Sequence, residues 1–203
     1  MAHAPHTHLT QRYADAVAYA TAIHATQTRK GNSIPYVAHL IGVSSLVLEA
    51  GGTEDMAIAA LLHDAVEDQG WMPRAADIQA RFGDRVAEIV IACSDATTAE
   101  YKANTPYRAR KAEYLRHLEA VGHEVGGREI VTVSVADKVH NARAIVTDMQ
   151  ADGAAVLERF KSSREEMLWY YGEVVRIAEL HAMPRELLWP LRTAVTEMKA
   201  LAQ

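Results

Sequence analysis

Leu61-Leu62-His63-Asp64-Ala65-Val66-Glu67-Asp68 is the stretch that decides how this chain is read. Taken as one helix at about 100° per residue, it puts Glu67 about 40°, Asp64 about 100° and Asp68 about 140° from His63. An imidazole and three carboxylates then crowd one side of a helix whose preceding turns are apolar, with Met56, Ile58, Ala59, Ala60, Leu61 and Leu62. Such groups are costly at the end of an apolar helix unless they bind something. A divalent cation is the simplest ligand that satisfies them together.

Outward from this segment the composition is that of a soluble globular chain. It has 203 residues, 49% hydrophobic and 23% charged, enough for one domain of ordinary size. The net charge of -5 gives no support to DNA, RNA or membrane binding, yet a metal and local basic groups can still draw a small anionic substrate into a cleft. Cys93 is the single cysteine, so no internal disulfide forms and a reducing, cytoplasmic setting is expected. Residues 1–9 read as a flexible tail, with His3, His6 and His8 as tail residues and not a metal site. That start has neither the basic end nor the apolar run of a secretory signal, and no window approaches a membrane span. The sequence assigns no oligomeric state.

Glycine and proline divide the rest into helices. Apolar spacing predicts helices over 10–29 and 37–50, the second stopped by Gly51-Gly52. Thr53 can cap the next, with Glu54 and Asp55 at its positive end. That helix is expected to carry His63-Asp64 at its C-terminal end and to break at Gly70. Further helices are predicted over 74–81, 84–93, 106–120, 154–181 and 184–201, and a long loop over 95–107. Ile130-Val131-Thr132-Val133-Ser134-Val135 alternates like a strand by local propensity.

Two more pieces fit the His-Asp pair: His39, early in the helix before it, and Asp137 in Ala136-Asp137-Lys138-Val139-His140-Asn141. His39, His63, Asp64 and Asp137 offer two imidazole nitrogens and two carboxylates. That donor set suits manganese, iron or zinc better than magnesium. A metal so held lowers the pKa of a bound water. Glu67 and Asp68 then make sense as the groups that accept a proton or hold the water.

The combination of Arg29-Lys30, Ile34-Pro35-Tyr36, His39, Ala60-Leu61-Leu62-His63-Asp64-Ala65-Val66-Glu67-Asp68, Phe82-Gly83 and Ala136-Asp137-Lys138-Val139-His140-Asn141 resembles the hydrolase domain of the RelA/SpoT homologues. Within the HD phosphohydrolase superfamily, it is most similar to their small, hydrolase-only members. The resemblance implies a single all-α HD-type domain over residues 10–203, helical through 130–135 as well, with no synthetase domain following. It implies manganese as cofactor and removal of the 3′-pyrophosphate from guanosine tetra- and pentaphosphate alarmones. It makes His39, His63, Asp64 and Asp137 the metal ligands, and Glu67, Asp68 and Asn141 catalytic. Arg29 and Lys30 would meet the nucleoside, Arg110 and Lys111 the phosphates. The loop from Arg29 to His39 is one residue longer than in many members, which bears on nucleobase preference.

Blander readings stand beside these. Arg29-Lys30 suits a helix C-terminus, Arg108, Arg110 and Lys111 suit a solvated face, and Leu168-Trp169-Tyr170-Tyr171 suits core packing. The rival functions are another HD phosphohydrolase, such as a nucleotidase or an NADPH or other 2′- or 3′-phosphatase, and a non-catalytic nucleotide-sensing module.

Overall fold

Thr10 opens the first helix by accepting a hydrogen bond from the Arg12 amide. The computed structural model describes residues 7–160 and 162–203. Of the tail expected over 1–9, residues 1–6, with His3 and His6, lie outside the described residues. His8 is exposed, and the Thr7 hydroxyl donates to the Gly52 carbonyl at 2.8 Å.

Helices are the regular secondary structure of the described residues, which hold no strand; a lone bridge pairs Thr28 with Pro35. The helices fall into two units, one ending at Lys102 and the other beginning at Ala103. The first contains α1 (Gln11–Ile23), α2 (Val37–Glu49), α3 (Glu54–Leu62), α4 (Ala65–Asp68), α5 (Trp71–Phe82) and α6 (Asp84–Cys93). The short α7 (Ala99–Asn104) carries the boundary, within the segment expected to be a loop.

Helix α3 is the axis of the first unit, with α1, α2 and α6 packed against it. Every residue from Met56 to Leu62 is buried, at 0–6% exposure, which is why its sequence is apolar on all sides. Thr53 caps it by accepting from the Met56 amide at 3.3 Å. The fully buried Leu61 and Leu62 each contribute roughly 1.5–3 kcal/mol.

The helix expected to run through the His-Asp pair is instead broken there. Helix α3 stops at Leu62, Asp64 sits at φ −96° and ψ −4°, and α4 restarts at Ala65. His63 and Asp64 occupy the break, so their side chains follow a turn and not a 100° wheel.

The second unit contains α8 (Tyr107–Val121), α9 (Gly127–Asp152), a 3-10 turn over Ala154–Arg159, α10 (Arg164–Leu180) and α11 (Arg185–Leu201). Helix α9 packs against α8, α10 and α11. It takes in the β-branched run 130–135 as helix, and all of those residues are buried. Burial on several sides outweighs the local strand preference, and the Thr132 hydroxyl donates to the Arg128 carbonyl one turn back at 2.8 Å.

The helix predicted over 154–181 divides. Ser163 accepts from the Glu166 amide while Glu166 accepts from the Ser163 amide, a reciprocal cap that starts α10 afresh. The first helix also ends earlier than expected, at Ile23, and residues 24–36 form the connection to α2.

Candidate active site

The break between α3 and α4 sets the geometry of the site. The His63 ring turns back so that Nδ1 lies 2.8 Å from the Ala60 carbonyl. A carbonyl only accepts, so Nδ1 carries the proton and Nε2 presents its lone pair. That Nε2 lies 3.0 Å from Asp64 Oδ2. His39, on the first turns of α2, brings its own Nε2 to 3.8 Å from the same oxygen. The two imidazoles meet edge to face, with centroids 5.2 Å apart. Both are buried, at 1% and 3% exposure. Two imidazole nitrogens and a carboxylate oxygen so placed form a donor set that a divalent cation fits, with the second nitrogen of His63 fixed by a backbone carbonyl as metal-binding histidines commonly are.

Tyr36, from the Ile34-Pro35-Tyr36 motif, adds a support to Asp64. Its hydroxyl donates to Asp64 Oδ2, and its ring stacks on His24 at 5.4 Å.

Glu67 and Asp68 project from α4 beside this cluster. Lys102 Nζ reaches Glu67 Oε1 at 2.9 Å and Asp68 Oδ1 at 3.7 Å. On the other side, Gln27 Nε2 donates to Asp68 Oδ2 at 2.8 Å. Burial, then the Asp95 charge, pushes the Glu67 carboxyl above its ordinary pKa, against the pull of Lys102. Burial, then Asp64, raises Asp68 likewise. Burial opposes the charge on Lys102, yet the hydrogen bond and charge of Glu67 hold its pKa above the usual lysine value. Raised carboxyls beside a paired ammonium suit groups that exchange protons near neutral pH.

Lys102 and Gln27 were absent from the sequence-derived site. Lys102 sits in a segment read as loop, and Gln27 in one read as helix, so spacing pointed to neither. The acidic pair itself was the available signal, since two buried carboxylates need donors.

Within the second unit, Asp137 is buried on α9, at 3% exposure. Its Oδ1 accepts from the Asn141 amide at 2.5 Å and its Oδ2 from the Lys138 ammonium. Asn141 therefore lies one turn on, against Asp137, as a helical segment requires. Burial works against the Lys138 charge, but Asp137 holds its pKa well above the ordinary value.

The four basic residues singled out from sequence are placed differently. Arg29 is half-buried in the connection after α1, where its amide donates to the Ile34 carbonyl at 2.8 Å. Lys30 beside it is exposed. Arg110 and Lys111 are half-buried on α8. The Lys111 ammonium lies 5.0 Å from the centre of the Tyr170 ring and 5.9 Å from those of Tyr107 and Tyr114. Three aromatic faces around one ammonium make more than a solvated face of it.

A family pattern described as HD domain matches residues 16–161, more than half of the chain. The chain belongs to the HD domain family. This HD domain is 31% identical over 130 residues to a probable guanosine-3′,5′-bis(diphosphate) 3′-pyrophosphohydrolase of Synechocystis sp., a match covering 64% of this chain and 16% of that protein. It is 32% identical over 132 residues to guanosine-3′,5′-bis(diphosphate) 3′-pyrophosphohydrolase MESH1 of Xenopus tropicalis, covering 64% of this chain and 66% of that one. The HD domain spans 16%, 14% and 17% of the length of the first curated relatives it matches. Among solved structures, it superposes on that of a metazoan orthologue of SpoT that hydrolyses ppGpp, with a TM-score of 0.70 and 25% identity over 94% of this chain and 97% of that one. The all-helical fold matches the expectation from sequence. The HD domain, with the buried imidazoles of His39 and His63 in a group that could hold a metal ion, implies a divalent metal. None of the described helices is long and apolar enough to cross a membrane.

Proposed function

We propose that this HD domain is a manganese-dependent hydrolase of 3′-pyrophosphate nucleotides of the (p)ppGpp type. The observation that carries the reading is the acidic pair, Glu67 and Asp68, held at the edge of the His39-His63-Asp64 cluster with raised pKa values. Metal holding alone needs neither. The names borne by the relatives point to the same substrate class.

His39, His63 and Asp64 would hold the metal, with Asp137 from α9 as the fourth ligand. The metal, when bound, supplies positive charge against the phosphates and lowers the pKa of water. The residues of the chain do the rest. His63 presents Nε2 because Ala60 holds its Nδ1 proton, and Tyr36 steadies Asp64. Glu67 accepts a proton from the attacking water, and Asp68 orients that water. The phosphorus on the 3′-oxygen gains the water oxygen and loses its bond to the ribose. The 3′-oxygen leaves and takes up the proton that Glu67 accepted, giving inorganic pyrophosphate and a nucleoside 5′-di- or triphosphate. Asn141 keeps Asp137 in one orientation. Arg29 and Lys30 would meet the nucleoside, and Arg110 and Lys111 the phosphates. The reading treats residues 10–203 as one hydrolase domain, and the lone Cys93 agrees with a cytoplasmic setting.

Product analysis with purified protein tests it. Guanosine and adenosine 3′-pyrophosphate nucleotides are supplied with manganese, then with manganese chelated. Pyrophosphate release that stops on chelation supports the reading. Orthophosphate from a 5′-monophosphate, or from NADPH, with no pyrophosphate from either alarmone would overturn it.

A further inference from the structure

His24 has no part in the chemistry so far, yet it is buried, at 2% exposure, close behind the site. Its Nδ1 lies 2.7 Å from Gln27 Oε1. Gln69 Nε2 donates to that same oxygen at 2.6 Å. The other end of the Gln27 amide, Nε2, donates to Asp68 Oδ2 at 2.8 Å. An ionised carboxylate only accepts, so Asp68 requires the NH2 end of Gln27. The carbonyl end must then face His24 and Gln69. Gln69 Nε2 also lies 3.3 Å from His24 Nδ1, but the closer 2.7 Å contact to a carbonyl oxygen forms only if Nδ1 donates. His24 Nδ1 therefore carries the proton. Its Nε2 is buried with no hydrogen-bond partner among the described residues, which disfavours a second proton.

We infer that His24 and Gln27 form a two-residue chain that positions the Asp68 carboxylate, Gln27 by direct contact and His24 through Gln27. The inference rests on the role given above to Asp68. It explains why a histidine is buried where a leucine would pack more cheaply: the ring fixes the direction of an amide that can otherwise flip. It also separates the two acidic residues. Glu67 is held by an ammonium, whereas Asp68 takes that ammonium only at 3.7 Å and is aimed by an amide. Asp68 can thus keep one orientation whether or not Lys102 stays in place.

Gln27→Leu keeps the shape and removes all three side-chain hydrogen bonds, to His24, Gln69 and Asp68. It is expected to lower kcat at least about tenfold while KM for the 3′-pyrophosphate nucleotide stays within about twofold, the loss being one of orientation and not of binding. His24→Leu should do the same. The double variant should be no worse than the more damaged single variant, because residues in one chain act as a unit. His24→Asn restores a donor in the place of Nδ1 and should recover part of the loss. Nitrogen-15 spectra of the imidazoles give a readout that needs no turnover. They should show His24 with its proton on Nδ1 in the wild type, and that preference lost in Gln27→Leu. A wild-type His24 protonated on Nε2, an unchanged kcat in Gln27→Leu, or additive losses in the double variant would overturn the chain. Wild-type protein that turns over no 3′-pyrophosphate nucleotide would instead overturn the proposed function, and the tautomer of His24 would then decide the chain by itself.

Discussion

Lys102 and Glu67 form an ion pair at 2.9 Å that joins α7 to the acidic end of α4. Burial and the Asp95 charge raise the Glu67 pKa, and the Lys102 ammonium pulls against that rise. Lys102→Ala removes the one group named here that lowers the Glu67 pKa. That pKa then rises, the base form is lost at higher pH, and the acid limb of the kcat/KM profile moves upward. The rate at neutral pH should fall by about tenfold, and Lys102→Arg should recover most of it. A pH-rate series on the three proteins checks this.

The proposed metal ligands and the acidic pair should separate in a metal assay. His63→Ala and Asp64→Ala each remove a donor from the cluster at the α3–α4 break, and manganese binding followed by calorimetry should fall by about 100-fold or more in each. Glu67→Gln keeps its shape and leaves the cluster alone, so manganese affinity should stay within a few-fold of the wild type while turnover falls by about 100-fold or more. Loss of metal in Glu67→Gln would move that residue into the ligand set.

The central motif was legible because its residue types are expensive unless used, and His39, His63 and Asp64 do meet in space. Their geometry was not legible. A 100° wheel assumes an unbroken helix, and the chain breaks at Asp64. Residues 130–135 show the opposite error of local reasoning. Their β-branched alternation favours a strand, but a buried 26-residue helix takes them in. The cap at Ser163 and Glu166 was present in the sequence as a Ser-x-x-Glu signature and marks the helix start that the predicted span 154–181 ran through. Tyr36, Gln27 and Lys102 act through contacts with Asp64, Asp68 and Glu67 that lie far off in sequence, and spacing carries no trace of them.

Acid should destabilise the fold through two histidines. Burial lowers the pKa of His24 from 6.5, and burial followed by the His123 charge lowers that of His181. The folded pKa lies below the unfolded one in both, so the unfolded chain takes up the proton first as pH falls. Their contribution is complete above about pH 6.5 and is lost as pH falls from there through the depressed folded values. Thermal midpoints taken from about pH 7.5 down to about pH 5 should decline, and the decline should be shallower in His181→Gln.

Gly122 should resist even alanine. Its backbone, at φ −61°, suits any residue, but a Cβ there would lie 2.4 Å from His181 Cε1 and 2.5 Å from its Nε2. That ring has little freedom, because Arg128 holds the His181 carbonyl at 2.6 Å and His123 packs against it at 4.8 Å. Gly122→Ala should cost about 1–3 kcal/mol, read as a lower urea midpoint with an unchanged slope. An unchanged midpoint would mean that the ring moves aside freely.

Under the proposed function, water attacks the phosphorus on the 3′-oxygen and pyrophosphate leaves whole. Turnover of guanosine 3′-pyrophosphate 5′-diphosphate in oxygen-18 water, with manganese present, tests it most directly. One labelled oxygen is expected in the released pyrophosphate and none in the nucleoside 5′-diphosphate. Label in the nucleoside product, or in orthophosphate released in place of pyrophosphate, would contradict it.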